Sequence, residues 1–123
     1  MSSIKLRRFR QRAIIKQNHH CYYCQYPIWD SDFEGFSLAH KIPRRLAKHL
    51  RCTAEHLVAR QDGGQDIAEN IVAACVWCNS RRHLHRQKNA PDSAAYKLRV
   101  IQLKALGRGH PLAMSRQHVK LTL

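Results

Sequence analysis

Acidic residues are scarce in this chain. Only 8 Asp and Glu residues stand against 22 Lys and Arg residues among 123, which gives a formal net charge of +14. No fold requires such an excess, and the repulsion between like charges costs stability. The excess therefore indicates a polyanionic partner. We expect nucleic acid, because phosphate contacts supply most of the non-specific affinity of its binding proteins.

Long apolar runs are absent, and so is an even set of cysteines. The longest apolar stretch, residues 71–77, is far too short to span a bilayer. No signal-peptide pattern opens the chain. An odd count of five cysteines argues against a secreted disulfide scaffold. We therefore expect a cytoplasmic protein with no membrane partner, in which paired cysteines bind metal.

The cysteines that are present form two Cys-x-x-Cys motifs. Cys21 and Cys24 make the first, and Cys75 and Cys78 make the second. Such a motif presents both thiolates to one ion, and two motifs complete a closed tetrahedral site typical of structural Zn²⁺. A redox pair would need only one motif. Three further residues are possible substitute ligands, His19, His20 and Cys52, of which Cys52 is interpreted as a small buried residue at the start of a strand.

Residue spacing predicts an α+β order with further helices on either side. A basic helix over 4–17 either packs on the core as a solvated helix or also contacts phosphates. Residues 32–35 are expected to form a loop, and residues 108–123 a loose tail. The remaining predicted elements are strands over 52–58 and 70–75 and helices over 77–88 and 92–106.

The chain is expected to form one domain with extensions. We divide it into a basic N-terminal helix over 1–18, a core over 19–90 that contains an insertion at about 37–51, and a C-terminal helix with a basic tail over 91–123.

Residues 21 to about 83, apart from that insertion, resemble an HNH endonuclease. The family's pair of an acid and a histidine is more often Asp-His, and Glu55 is a departure from it. Several features occur in the order that the family shows: the first cysteine pair, Glu55-His56, the Gly63-Gly64 loop, Asn70 before an apolar residue, and the second cysteine pair with Asn79 after it.

The resemblance implies a small ββα-metal core that grips one divalent ion, here held together by the four-cysteine zinc site. By position, His56 would be the general base that activates water. Glu55 and Asn79 would be metal ligands from the first strand and the helix. Asn70 would brace the loop and orient His56. His83 shares a helix face with Asn79, and it would either ligate the metal or contact the scissile phosphate.

Phosphodiester hydrolysis needs an activated water, a cation on the phosphate and stabilisation of the leaving oxygen. Histidine suits the base because its pKa lies near the working pH. Carboxylate and amide oxygens suit Mg²⁺ or Mn²⁺, and an Asn or His ligand also admits Ni²⁺. Three arginines on the helix over 77–88 are candidates for binding phosphates: Arg81, Arg82 and Arg86.

We therefore predict a metal-dependent HNH endonuclease that hydrolyses DNA phosphodiester bonds. The alternatives are a non-catalytic, zinc-containing module that binds nucleic acid, and an adaptor that binds protein. RNA stays open as a substrate, and sequence specificity cannot be derived from these residues. A homodimer is one arrangement that would place two sites on opposite strands.

Overall fold

The protein is described here by a computed structural model that covers residues 2–84 and 90–115. The α-helices and strands, in chain order, are α1 (Ser2–Lys16), α2 (Phe33–His40), α3 (Arg44–Ala47), β1 (Cys52–His56), β2 (Ile71–Cys75), α4 (Val76–Arg82) and α5 (Ser93–Ala105). Residues 111–115 form a further helix after α5.

Strands β1 and β2 form an antiparallel two-stranded sheet. Cys52 lies opposite Cys75, and His56 lies opposite Ile71. The sheet and α4 together give the ββα order that the resemblance implies, so the predicted α+β class is confirmed. Beyond His56 the chain turns away, although the Leu57 amide still donates to the Asn70 carbonyl (2.9 Å). Glu55 and His56 therefore stand at the end of β1.

Helix α1 packs across both strands and confirms the predicted N-terminal helix. Its sequence contains no glycine or proline to interrupt it. Ala13 and Ile14 are buried against the rest of the protein. Just after the helix, the Gln17 side chain donates to the Ala73 carbonyl (2.8 Å) and accepts from the Ala73 amide (3.0 Å). Gln17 thus fixes the end of α1 to β2.

Residues 32–35, predicted as a loop, instead begin α2. Asp32 is the N-cap, and its side chain accepts a hydrogen bond from the Gly35 amide (3.0 Å). A Cβ at position 35 would collide with the Asp32 carboxylate. Gly35 therefore permits the N-cap, although in the sequence a glycine argues against a helix. Four residues of the following segment contribute buried side chains to the core: Phe36, Ile42, Leu46 and Leu50.

The predicted helix over 77–88 is shorter than expected. Helix α4 ends at Arg82, and residues 85–89 lie outside the described part. The next predicted helix is present as α5, which Asp92 caps by accepting from the Ala95 amide (3.2 Å). No helix in the described ranges is both long enough and apolar enough to cross a membrane.

The sequence predicts a loose tail after α5, but part of this segment packs into the protein. Gly107 has a positive φ of 69° and turns the chain back after the helix. His110, Leu112 and Ala113 then lie buried in the protein. The prediction of a loose tail is therefore wrong for residues 110–113, and residues 116–123 lie outside the described part.

Candidate active site

The predicted four-cysteine cluster (Cys21, Cys24, Cys75 and Cys78) is present. All four Sγ atoms lie within 4.8 Å of one another. None of the four residues is more than 2% exposed, and none is in a disulfide. Four buried thiols that converge without a disulfide match the donor set of a closed metal site.

Backbone amides point at the cluster's sulfur atoms. The amides of Tyr23 and Cys75 each donate to Cys21 Sγ (3.3 Å), and the Cys78 amide donates to Cys75 Sγ (3.4 Å). Hydrogen bonds to a thiolate favour its charged form over the neutral thiol. These amide bonds therefore favour the thiolates that a metal ion requires, against the burial that raises the pKa of Cys75.

Cys52 is buried but does not belong to the cluster. Burial raises the pKa of Cys52 to about 12, so its thiol stays neutral. The sequence interpretation of Cys52 as a buried bystander agrees with this environment.

His110 contacts the four-cysteine cluster, a role that sequence reasoning missed. Its Nδ1 accepts a hydrogen bond from the Leu112 amide (3.1 Å), so the ring proton resides on Nε2. That Nε2 lies 3.6 Å from Cys75 Sγ and donates to it. Burial lowers the pKa of His110 to about 4, so the ring is neutral. No motif links residues 35 positions apart, and the sequence offers no signal for this contact.

An open cleft of about 460 Å³ brings together four of the predicted site residues. Strand β1 supplies Glu55 and His56, helix α4 supplies Asn79, and His83 follows the end of α4. The complete lining is Leu6, Ala54, Glu55, His56, Ala59, Arg60, Gln61, Asn79 and His83.

Glu55 lies at the floor of this cleft and is only 1% exposed. Its Oε2 accepts from Tyr23 Oη (2.7 Å) and from Arg82 Nη1 (2.9 Å). Its Oε1 lies 3.3 Å from His83 Nε2. Burial and the Glu55 charge raise the pKa of Tyr23, so Tyr23 stays a phenol that donates. The carboxylate is thus held on one side by Tyr23 and Arg82 and meets His83 on the other.

Arg82 is almost fully buried, which leaves its guanidinium little access to the phosphates that it was predicted to bind. It is 3% exposed. Besides Glu55 and Tyr23, its guanidinium donates to the carbonyls of His56 (2.7 Å), Leu57 (2.7 Å) and Pro91 (3.0 Å). A buried guanidinium with this many partners holds β1 and the chain before α5 against α4.

The other two predicted arginines differ from Arg82. Arg81 is exposed, and its guanidinium lies 5.2 Å from the centre of the Trp77 ring. Arg86 lies outside the described residues. Arg81 therefore keeps its candidacy as a phosphate contact.

His56 is oriented by Asp66, a residue that sequence reasoning missed. His56 Nε2 lies 2.7 Å from Asp66 Oδ1. Arg60 fixes the same carboxylate through two hydrogen bonds (3.1 and 2.9 Å). The bond from His56, together with those from Arg60, lowers the pKa of Asp66. An ionised Asp66 only accepts, so in its neutral form a His56 ring bonded to Asp66 carries its proton on Nε2 and its lone pair on Nδ1. The position of Asp66, an acidic residue just after Gly63-Gly64, is the sequence signal that could have identified it.

Asn70 holds together the loop that follows β1. It is 9% exposed. Its Oδ1 accepts from the Val58 amide (2.8 Å), and its Nδ2 donates to the carbonyls of Val58 (3.0 Å) and Gln65 (3.0 Å). Gly64 lies so close to the Val58 and Ala59 carbonyls that a Cβ there would collide with them. Asn70 and Gly64 thus close the loop that presents Asp66 to His56.

Asn79 has a defined amide orientation. Its Nδ2 donates to Thr53 Oγ1 (3.0 Å) and to the Ala54 carbonyl (3.3 Å). A carbonyl can only accept, so the amide nitrogen faces β1 and the oxygen is the end left to bind a cation.

The HNH endonuclease family model matches residues 21–84. This range is just over half of the 123 residues and includes both cysteine pairs and every residue that lines the cleft except Leu6. No curated protein and no solved structure matches the chain. From the extent of the family match, the chain belongs to the HNH endonuclease family.

Proposed function

We propose that this protein is a metal-dependent endonuclease that hydrolyses phosphodiester bonds of DNA. The observation that carries the proposal is the open cleft, in which Glu55, His56, Asn79 and His83 meet. The net charge of +14 supports a nucleic acid as the substrate.

Zn²⁺ is the ion that we assign to the four-cysteine cluster. Four thiolates in a buried, closed arrangement suit Zn²⁺ and leave no position for a substrate. The ion's role is therefore structural: it would join the N-terminal cysteine pair to the junction of β2 and α4.

His56 is proposed as the general base. With its Nε2–H directed at Asp66 (2.7 Å), Nδ1 is the nitrogen available to take a proton from water. The water oxygen then forms a bond to phosphorus as the bond to the leaving 3′ oxygen breaks. The Asp66 carboxylate stabilises the imidazolium that results.

Glu55, Asn79 and His83 are proposed to hold Mg²⁺ or Mn²⁺, with Ni²⁺ as a further candidate. Such an ion, when bound, would supply charge to the phosphate and to the leaving oxygen. The protein's own contribution is orientation: Tyr23 and Arg82 fix Glu55 Oε2, which leaves Oε1 beside His83. Thr53 and Ala54 hold the Asn79 amide nitrogen, so its oxygen is available as a ligand.

One observation favours the alternative of a nucleic-acid-binding module without catalysis. Glu55 is 1% exposed and already forms an ion pair with Arg82. In that alternative, Glu55 serves only the core and the cleft holds no ion. Metal-dependent cleavage separates the two functions, because a binding module would retard DNA without cutting it.

A plasmid assay tests the proposal. Supercoiled DNA is incubated with protein and Mg²⁺, Mn²⁺, Ni²⁺ or no added ion, beside His56→Ala and His40→Ala. His40 is exposed on α2, which lines no part of the cleft, so its variant controls for the loss of a histidine. We expect ion-dependent cleavage that falls about 10²- to 10⁴-fold in His56→Ala and is unchanged in His40→Ala.

Cleavage by His56→Ala at the wild-type rate would refute the assigned base. Retardation of DNA without cleavage in any ion would favour the binding module. The ratio of nicked to linear product distinguishes single-strand from double-strand cutting.

A further inference from the structure

Helix α1 presents a row of positive charge. It contains no acidic residue. Lys5, Arg8, Arg12 and Lys16 are all exposed, and their spacing of three, four and four residues places them on one helix face. Of the two other arginines of α1, Arg7 is exposed away from this face, and Arg10 is partly buried and pairs with Asp30 (2.9 Å). We call the four residues on the shared face the cationic row.

The cationic row has a fixed position relative to the cleft. Ala13 and Ile14 anchor α1 in the core, and Gln17 bonds the end of the helix to β2. Leu6, on the first turns of the same helix, lines the cleft that holds His56. The helix therefore runs from the cleft along the sheet.

Two hollows lie along the row. One, of about 410 Å³, is lined by Ile4, Lys5, Arg8, Phe9 and Arg12. The other, of about 510 Å³, lies between α1 and β2 and contains a single acidic residue, Glu69. Arg12 and Phe9 line both hollows, so the charged surface is continuous along the helix. The larger hollow is lined by Phe9, Arg12, Ala13, Lys16, Gln17, Tyr22, Ala68, Glu69, Ile71 and Val72.

We infer that the cationic row binds successive phosphates of the nucleic acid and so leads the strand to the cleft. The inference rests on the proposed function and adds the surface that holds the substrate. From Lys5 to Lys16 the helix rises about 16 Å, so the four side chains are spread over a length that spans several phosphates of one strand. A lipid surface fits less well, because a helix that binds membrane inserts a broad apolar side. In α1, Ala13 and Ile14 are buried, and the exposed Ile4 and Ile15 stand among exposed basic residues.

The test compares two fourfold variants with equal loss of charge. The first carries Lys5→Gln, Arg8→Gln, Arg12→Gln and Lys16→Gln, which keeps helix propensity because Gln is a good helix former. The control carries Lys41→Gln, Arg45→Gln, Lys48→Gln and Arg108→Gln, all at exposed positions that line neither the cleft nor the two hollows. Both are made in His56→Ala protein.

The readout is the salt dependence of binding to a duplex oligonucleotide, with no divalent ion added. Each phosphate contact contributes about 0.9 to the slope of log K against log salt. We expect the slope of the α1 variant to fall by about 3 to 4 and that of the control to fall by less than 1. Circular dichroism and zinc content confirm that both variants are folded.

Equal slopes in the two variants would overturn the inference, and so would a larger loss in the control. Loss of binding to phosphatidylserine vesicles with an unchanged DNA slope would overturn it as well. The outcome is independent of catalysis. A protein that never cleaves can still show the slope change, and an active nuclease can lack it.

Discussion

The four-cysteine cluster and the histidines of the cleft differ in solvent access. The cluster's residues are at most 2% exposed, whereas the side chains of His56 and His83 in the cleft are 14% and 28% exposed. A metal ion whose four ligands all come from the protein has no coordination position left for a substrate, whereas an ion in a site open to solvent keeps one. Under the proposed function, the closed region serves stability and the open region serves chemistry.

One residue connects the two regions. Tyr23 lies between Cys21 and Cys24 in the chain, and its Oη donates to Glu55 in the cleft (2.7 Å). Its ring also packs edge-on against Tyr96 of α5, with centroids 4.9 Å apart. The first cysteine pair thus positions the carboxylate through Tyr23, and damage to the cluster should reach the cleft.

The largest effect is expected from Cys75→Ser, which breaks the closed region. Structural zinc contributes about 10 to 16 kcal/mol in small zinc domains, more than the stability of a typical domain. We expect loss of bound zinc and of cooperative thermal unfolding. Cys52→Ala is the matched control, since it removes a buried thiol outside the cluster and should keep one zinc per chain by elemental analysis. Full zinc content in Cys75→Ser would contradict the assignment.

A smaller effect, on the floor of the cleft, is expected from Arg82→Ala. Removing one partner of a buried ion pair costs about 3 to 5 kcal/mol. Arg44→Ala is the control, because Arg44 and Glu34 form a pair of the same length (2.9 Å) with side chains 69% and 61% exposed. An exposed pair contributes about 0 to 1 kcal/mol. Denaturant unfolding measures both, and equal losses would show that Arg82 acts as a surface residue.

The smallest effect is expected from Asp66→Ala, which leaves the open region folded but releases His56. Partners that orient a functional side chain are worth about 10- to 100-fold in activity. We expect the single-turnover rate on saturating DNA to fall by that factor, with little change in DNA affinity. Glu34→Ala is the control, since it removes an exposed acid that lines neither the cleft nor the two hollows beside α1. Equal loss of rate in both variants would rule out a specific role for Asp66.

The sequence predicts the residues whose role depends on spacing. The cysteine pairs converge because each turn is local, and Asn79 and His83 share a helix face because four residues separate them. Arg81 and Arg82 show where this reasoning ends. The two neighbouring arginines have the same chemistry, yet Arg81 is exposed and Arg82 is 3% exposed. The difference between them comes from the buried Glu55, which pairs with Arg82, and the sequence does not show that Glu55 is buried.

Contacts between residues far apart in the chain also could not be predicted from the sequence. His110 approaches Cys75 from the far end of the described chain, and Asp66 meets His56 because Asn70 closes the loop between them. The cap formed by Asp32 was missed for a different reason. Gly35 disfavours a helix by intrinsic propensity, but here it makes room for the capping carboxylate.

The cysteine pairs also determine the chain entropy of the unfolded protein. Cys24 and Cys75 are 51 residues apart, so an ion bound by both would close a long loop. By the relation used for cross-links, closing such a loop removes about 4 kcal/mol of entropy from the unfolded ensemble. Glu55 and His56 lie inside that loop. Releasing the ion would therefore favour the unfolded chain by about that amount and lower the population in which β1 is formed, although no contact in the cleft is itself changed.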